Sequence, residues 1–240
     1  MNAAFIVVLV SAAISLKAPL TEAARQFDAS SPGEPVTFTF GSSGELAAQI
    51  EQGAPVDVFL SASPVDMERV AAAGRIDLAT RVAIAGNRLV VIVPRGTAPP
   101  SELTGLLDPR FRRIAIGNVK TVPAGRHAKE ALVASDVLER VEKRFVYGEN
   151  VRQVVDLVAR AEADAGFVYA TDLPLGGDHI DLAFEIPESL HKPIVYEGAV
   201  VAGAKAASRA RAFLKFLTSA PAQEILAQRG FLPPGTTAPK

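Results

Sequence analysis

The chain has 240 residues, of which 49% are hydrophobic and 21% charged, and its formal net charge is −1. That balance supports a packed core, argues against global disorder, and gives no footing for nucleic acid or an anionic membrane surface. With no cysteine and only three scattered histidines (His127, His179 and His191), disulfides and thiolate chemistry are excluded, and a histidine-rich metal site is not expected.

Phe5–Val10 reads as a buried first strand. The run FIVVLVSAAISL looks like the apolar part of a secretory signal, but no basic residue precedes it. It also leads straight into a helix with Leu16, Leu20, Ala23, Ala24 and Phe27 on one face. On that reading, the export signal is expected to lie outside this sequence. Val36, Phe38 and Phe40 alternate with Thr37 and Thr39, a strand pattern. After Gly41-Ser42-Ser43-Gly44 a helix follows, with Leu46, Ala47 and Ile50 on one face. Val56–Leu60 is a buried strand. Ser63-Pro64 opens a helix as cap and first-turn proline, and Gly74 closes it. Arg88–Val93 and Ile114–Ile116 are strands, and a helix starts at about Gly125. Phe145–Tyr147 is a strand, and Asn150 caps a helix whose apolar face is Val151, Val154, Val155 and Val158. Ala165–Tyr169, Ala183–Ile186 and Ile194–Val201 are strands, and helices over Ala206–Thr218 and Pro221–Gln228 end the chain. Strands separated by helices imply an α/β protein with mainly parallel sheets covered on both faces.

In such sheets ligands sit beyond the carboxyl ends of strands, where helix N-termini offer unpaired N–H groups and a positive dipole end. Five corners share this chemistry: Ala12 to Leu16, Gly41 to Gly44, Val122 to Gly125, Glu149 to Arg152, and Tyr169 to Asp172. They present hydroxyls, glycines and small residues, without a consistent cationic cluster. Taken singly, each has a plainer reading. Ser42, Ser43, Ser15 and Asn150 could be helix caps, the VPAG segment a proline turn, and Tyr169 a packing residue.

The blocks ISLKAPLTEAARQF, FGSSGELAAQIEQGAPVDVFLSA, GNRLVVIVP, VPAGRHAKEAL, ENVRQVVDLV and GFVYATD, in this order over nearly the whole chain, resemble the periplasmic molybdate-binding proteins of ABC transporters. The resemblance implies a two-lobed periplasmic binding protein fold of type II with a ligand cleft. One lobe would hold residues 1–85 plus 197–240 and the other 86–196, with a hinge near 85–89 and 196–200. It implies that Ser15 and Ser43, the backbone donors of Ala124 and Val151, and Tyr169 surround the oxyanion. Ser42 is expected to matter less. Two departures are visible: Ile14 breaks the usual alanine-rich entry to the first serine, and Asn118-Val119-Lys120-Thr121 stands where Asp-Pro is common. The implied ligand is molybdate or tungstate, and no cofactor, free metal cation or catalysis is expected. The implied partners are an ABC permease and its ATPase, with the chain acting outside the cytoplasm as a monomer.

Molybdate is a tetrahedral dianion whose oxygens only accept. Hydrogen bonds to a charged group contribute about 1.5–3 kcal/mol each. Several can support micromolar to nanomolar binding, roughly −8 to −12 kcal/mol, after ordering costs. A donor-only site leaves the O–H of monohydrogen phosphate without an acceptor. Sulfate must be rejected by its shorter bonds, and tungstate is nearly isosteric with molybdate. None of the five positions titrates between about pH 6 and 9, so binding is expected to be flat there unless His127, beside VPAG, contributes charge. Rival functions read weakly. Gly41-Ser42-Ser43-Gly44 lacks the spacing of a nucleophile elbow, no phosphate loop or zinc spacing occurs, and three tyrosines make a poor ferric site. No DNA-binding segment can be placed at either end. The alternative that remains is another tetrahedral oxyanion such as sulfate.

Overall fold

The structure, a computed structural model, describes residues 7–235. In chain order it runs β1 (Val8–Ala13), α1 (Lys17–Ser30), β2 (Val36–Gly41), α2 (Ser43–Glu51), β3 (Val58–Ser61), α3 (Pro64–Ala72), β4 (Val82–Gly86) and β5 (Leu89–Pro94). Then come β6 (Ile114–Gly117), α4 (Pro123–Ala134), the short α5 (Leu138–Val141), β7 (Phe145–Gly148), α6 (Val151–Ala159), β8 (Ala165–Tyr169), β9 (Ile180–Glu185), β10 (Val195–Val200), α7 (Ala207–Leu217) and α8 (Ala220–Gln228). Among the described residues, one compact unit takes 7–86 and 195–235, and the other takes 87–194.

The first unit has the strand order β2-β1-β3-β10-β4. β1 pairs in parallel with β2 and β3, and β10 is antiparallel to both β3 and β4. Four strands therefore run one way and β10 runs against them. The second unit has the order β7-β6-β8-β5-β9, with β6 parallel to β7 and β8, and β5 antiparallel to β8 and β9. Here again one strand, β5, opposes four. These sheets are mixed, and the reversed strand in each is the one by which the chain enters or re-enters that unit.

Apolar periodicity explains the covering helices. Leu20, Ala23, Ala24 and Phe27 of α1 are all buried, and Phe27 meets Phe213 of α7 with ring centroids 5.3 Å apart. Leu46, Ala47 and Ile50 of α2 join Phe59, Met67, Val70 and Ala199 in one core cluster. In the second unit Val151, Val154, Val155 and Val158 all lie on the buried face of α6.

Several boundaries differ from the sequence reading. Phe5 and Ile6 lie outside the described residues, and β1 continues through Ser11-Ala12-Ala13, because each of these residues has a partner on β2. The VPAG helix begins at Pro123 rather than Gly125, since a proline at the first helical position needs no N–H partner. β9 starts at Ile180. β4 has no counterpart in the reading, and its pairing is with β10, more than 100 residues later.

Candidate functional site

In the first unit the parallel strands β1 and β2 end together, with Ala13 opposite Gly41. Each chain continues two residues further to a serine. Ser15 sits in a single 3-10 turn, Ile14–Leu16, and Ser43 is the first residue of α2. Both are buried. Their hydroxyls do not cap helices. Ser15 Oγ is 3.0 Å from the Tyr196 hydroxyl, and either oxygen can be the donor. Ser43 Oγ accepts the Ala62 N–H at 3.0 Å, so its own hydrogen remains to be donated. The first intrahelical bond of α2 runs from Leu46 N–H to Ser42 C=O. The N–H groups of Ser43, Gly44 and Glu45 thus precede the hydrogen-bonded ladder and carry the positive end of the helix dipole.

The second unit repeats the arrangement. β6 and β7 end together, with Gly117 opposite Gly148, and β8 lies parallel beside β6, so that its last residue, Tyr169, reaches the same edge. Ala124 and Val151 stand in the first turns of α4 and α6. Asn150 is the cap that its sequence position suggested, its side chain accepting the Gln153 N–H at 3.2 Å. That leaves the Val151 and Arg152 N–H groups ahead of the ladder. Val122, in the cap position of α4, makes no side-chain cap, and Pro123 has no N–H, so Ala124 and Gly125 carry the leading donors there. A Cβ on Gly125 would stand 2.0 Å from the Gly117 carbonyl oxygen. Glycine at 125 is what lets α4 begin directly against the end of β6.

Tyr169 is buried, with its hydroxyl 3.4 Å from His127 Nδ1. The His127 pKa is lowered to about 3 by burial, with His191, Arg126 and Lys192 adding to the shift, so the ring is neutral at ordinary pH. The Tyr169 N–H donates to Asp172 Oδ2 at 3.2 Å. Burial raises the Asp172 pKa to about 7, against the opposing effects of the Tyr169 N–H and Arg152. Neither Tyr196 nor Asp172 was singled out from the sequence as a partner of the site. Asp172 carried a weak local signal, an acidic residue three positions after a strand end, as in a helix cap. Tyr196 carried none, because it reaches Ser15 across 181 residues.

Within each unit, then, the residues read from sequence converge on one edge of one sheet: Ser15 with Ser43, and Ala124 with Val151 and Tyr169. Both edges offer neutral donors. A cavity of about 390 Å³ in the first unit, lined by Leu9, Ile50, Pro55, Arg75 and Val201 among others, lies at the opposite end of that sheet and contains none of them. Among the described residues there is no group of three or more metal-ligating side chains, and no helix long and apolar enough to cross a membrane.

The sequence profile of bacterial extracellular solute-binding proteins matches residues 8–232. The molybdate-binding protein ModA of Haemophilus influenzae is 35% identical over 93% of this chain and 89% of its own length. That of Escherichia coli is 36% identical over 93% and 88% respectively. The solved periplasmic molybdate-binding protein of Azotobacter vinelandii superposes with a TM-score of 0.86 at 25% identity, covering 95% of this chain and 99% of the other. By its profile and by these relatives, the chain belongs to the family of bacterial extracellular solute-binding proteins and has the type II periplasmic-binding-protein fold.

Proposed function

We propose that this chain binds molybdate or tungstate outside the cytoplasm and delivers the anion to the permease and ATPase of an ABC importer. The observation that carries this reading is the pair of strand-end edges that present uncharged N–H and O–H donors. Ser15 and Ser43 would supply hydroxyls, Ala124 and Val151 their N–H groups, and Tyr169 its phenol. A tetrahedral dianion has only acceptor oxygens, and every one of these groups can donate to it. The curated relatives named for molybdate binding support the same choice of ligand. In this reading the chain binds and releases the anion without chemistry on it, as the solute-binding relatives suggest. The proposed hinge lies near 85–89 and 196–200.

Titration calorimetry on protein stripped of bound anion tests the reading. Molybdate and tungstate should bind in the micromolar to nanomolar range, about −8 to −12 kcal/mol. Sulfate and monohydrogen phosphate should bind far more weakly. His127 is held neutral between about pH 6 and 9 and contributes no charge there, so any change of affinity across that range should be a weakening near pH 7 as Asp172 ionises beside Tyr169. Folded protein that gives neither heat nor a melting shift with molybdate would end the proposal. Sulfate binding as tight as molybdate would favour the second reading, a carrier of another tetrahedral oxyanion.

A further inference from the structure

The first unit contains a hydroxyl that the five-donor site leaves unused. Ser42 is only 3% exposed, its Oγ is sealed from solvent, and that atom has no hydrogen-bond partner among the described residues. Its neighbours at this edge are all engaged. Ser43 Oγ takes the Ala62 N–H, Ser61 Oγ donates to the Ser63 carbonyl and accepts the Ser63 N–H, and Ser63 Oγ caps α3. Ser15 pairs with Tyr196.

Ser42 also declines the role that its position offers. With φ −72° and ψ 143° it has the extended backbone of a helix cap, yet its side chain makes no cap bond to α2. Serine at a cap position ordinarily accepts from the second or third helical N–H. Here the side chain pairs with neither of those donors, and its hydroxyl is buried. Buried polar groups are almost always partnered, and an unpartnered one destabilises the fold that holds it. Two features thus coincide at one helix start: N–H groups without a cap, and a buried hydroxyl without a partner. An oxyanion at this edge would satisfy both.

We infer that Ser42 is a further donor to the bound oxyanion, its hydroxyl completing the set that Ser43 and the first N–H groups of α2 present. This rests on the proposed anion-binding function and extends it. A sixth neutral hydroxyl gives the bound anion one more donor for its acceptor oxygens without adding charge to the site.

The test compares Ser42→Ala with Ser43→Ala and the parent protein, using molybdate as the probe. Ser42→Ala removes a hydroxyl that no described residue uses. The ligand-free variant should melt at or above the parent temperature, by up to about 4 °C, while molybdate affinity falls roughly 10- to 100-fold. Ser43→Ala leaves the Ala62 N–H without its acceptor, so it should lose melting temperature and affinity together. Gains in stability with losses in affinity are not what a merely structural serine produces. A parent protein that binds molybdate alongside a Ser42→Ala variant of equal affinity overturns the inference and leaves the function standing. So does a Ser42→Ala variant that melts lower with affinity unchanged, which would assign the hydroxyl to a structural water. A parent that binds no molybdate removes the function and this inference together.

Discussion

Substituting Gly125 by alanine tests whether the start of α4 must press against β6. The added Cβ would fall 2.0 Å from the Gly117 carbonyl oxygen, 2.6 Å from its carbon and 3.1 Å from its Cα. Real contacts of this kind do not close below 3.0 Å, so helix and strand must part by the difference, about 1 Å. Both obstructing groups are backbone, and Gly117 is itself wedged against Val122, whose Cγ1 would stand 2.5 Å from a Cβ there. No flexible side chain can yield. The cost should reach the top of the range for overpacking, about 3 kcal/mol. At about 2–4 °C per kcal/mol for a chain of this size, the melting temperature should fall by roughly 6–12 °C. A shift of about 1 Å also takes the Ala124 N–H out of hydrogen-bond range of any acceptor it met at about 2.9 Å. Molybdate affinity should then drop by one bond to a charged partner, about 1.5–3 kcal/mol. Differential scanning calorimetry and titration calorimetry read the two losses separately. A Gly125→Ala protein that melts within about 2 °C of the parent would refute the claim that this contact is rigid. Full affinity in a protein destabilised as expected would instead remove Ala124 from the site.

Two further outcomes can be measured. His127 has its ordinary pKa of 6.5 lowered to about 3, so below pH 6.5 the unfolded chain takes a proton that the native ring refuses, and stability falls as pH drops. Asp172 has its ordinary 3.8 raised to about 7, so its contribution is present at low pH and is lost as pH rises toward 7. Between about pH 4 and 6.5 the two slopes oppose each other, each at most about 1.4 kcal/mol per pH unit. Urea titrations should show Asp172→Asn gaining stability with pH across this window and His127→Gln losing it; identical slopes in both variants would show that neither group titrates as described. Separately, an anion that takes donors from both units favours whichever arrangement lets both sets reach it. X-ray scattering should give a smaller radius of gyration with molybdate than in stripped protein, and an unchanged radius would count against the proposed hinge.

What the sequence by itself determined is what depends on neighbours a few residues away. Ser63-Pro64 announces α3 and Asn150 announces α6 because caps and first-turn prolines satisfy groups within one helical turn. Ala165–Tyr169 is legible as β8, and Val151, Val154, Val155 and Val158 as a buried face, because hydrophobic spacing is a local pattern. The five candidate positions were legible as strand-to-helix corners for the same reason. The tertiary structure alone decided the rest. β4 needs β10 as its partner and the Gly86–Leu232 bridge at its end, and no local signal reports a strand whose pairing lies so far along the chain. The three extra residues of β1 exist because β2 continues beside them. The division of labour between Ser42 and Ser43 follows from Ala62, whose N–H reaches one hydroxyl and not the other. Which of two adjacent serines finds a partner depends on the backbone of another strand, brought there by packing, and spacing within the chain carries no record of it.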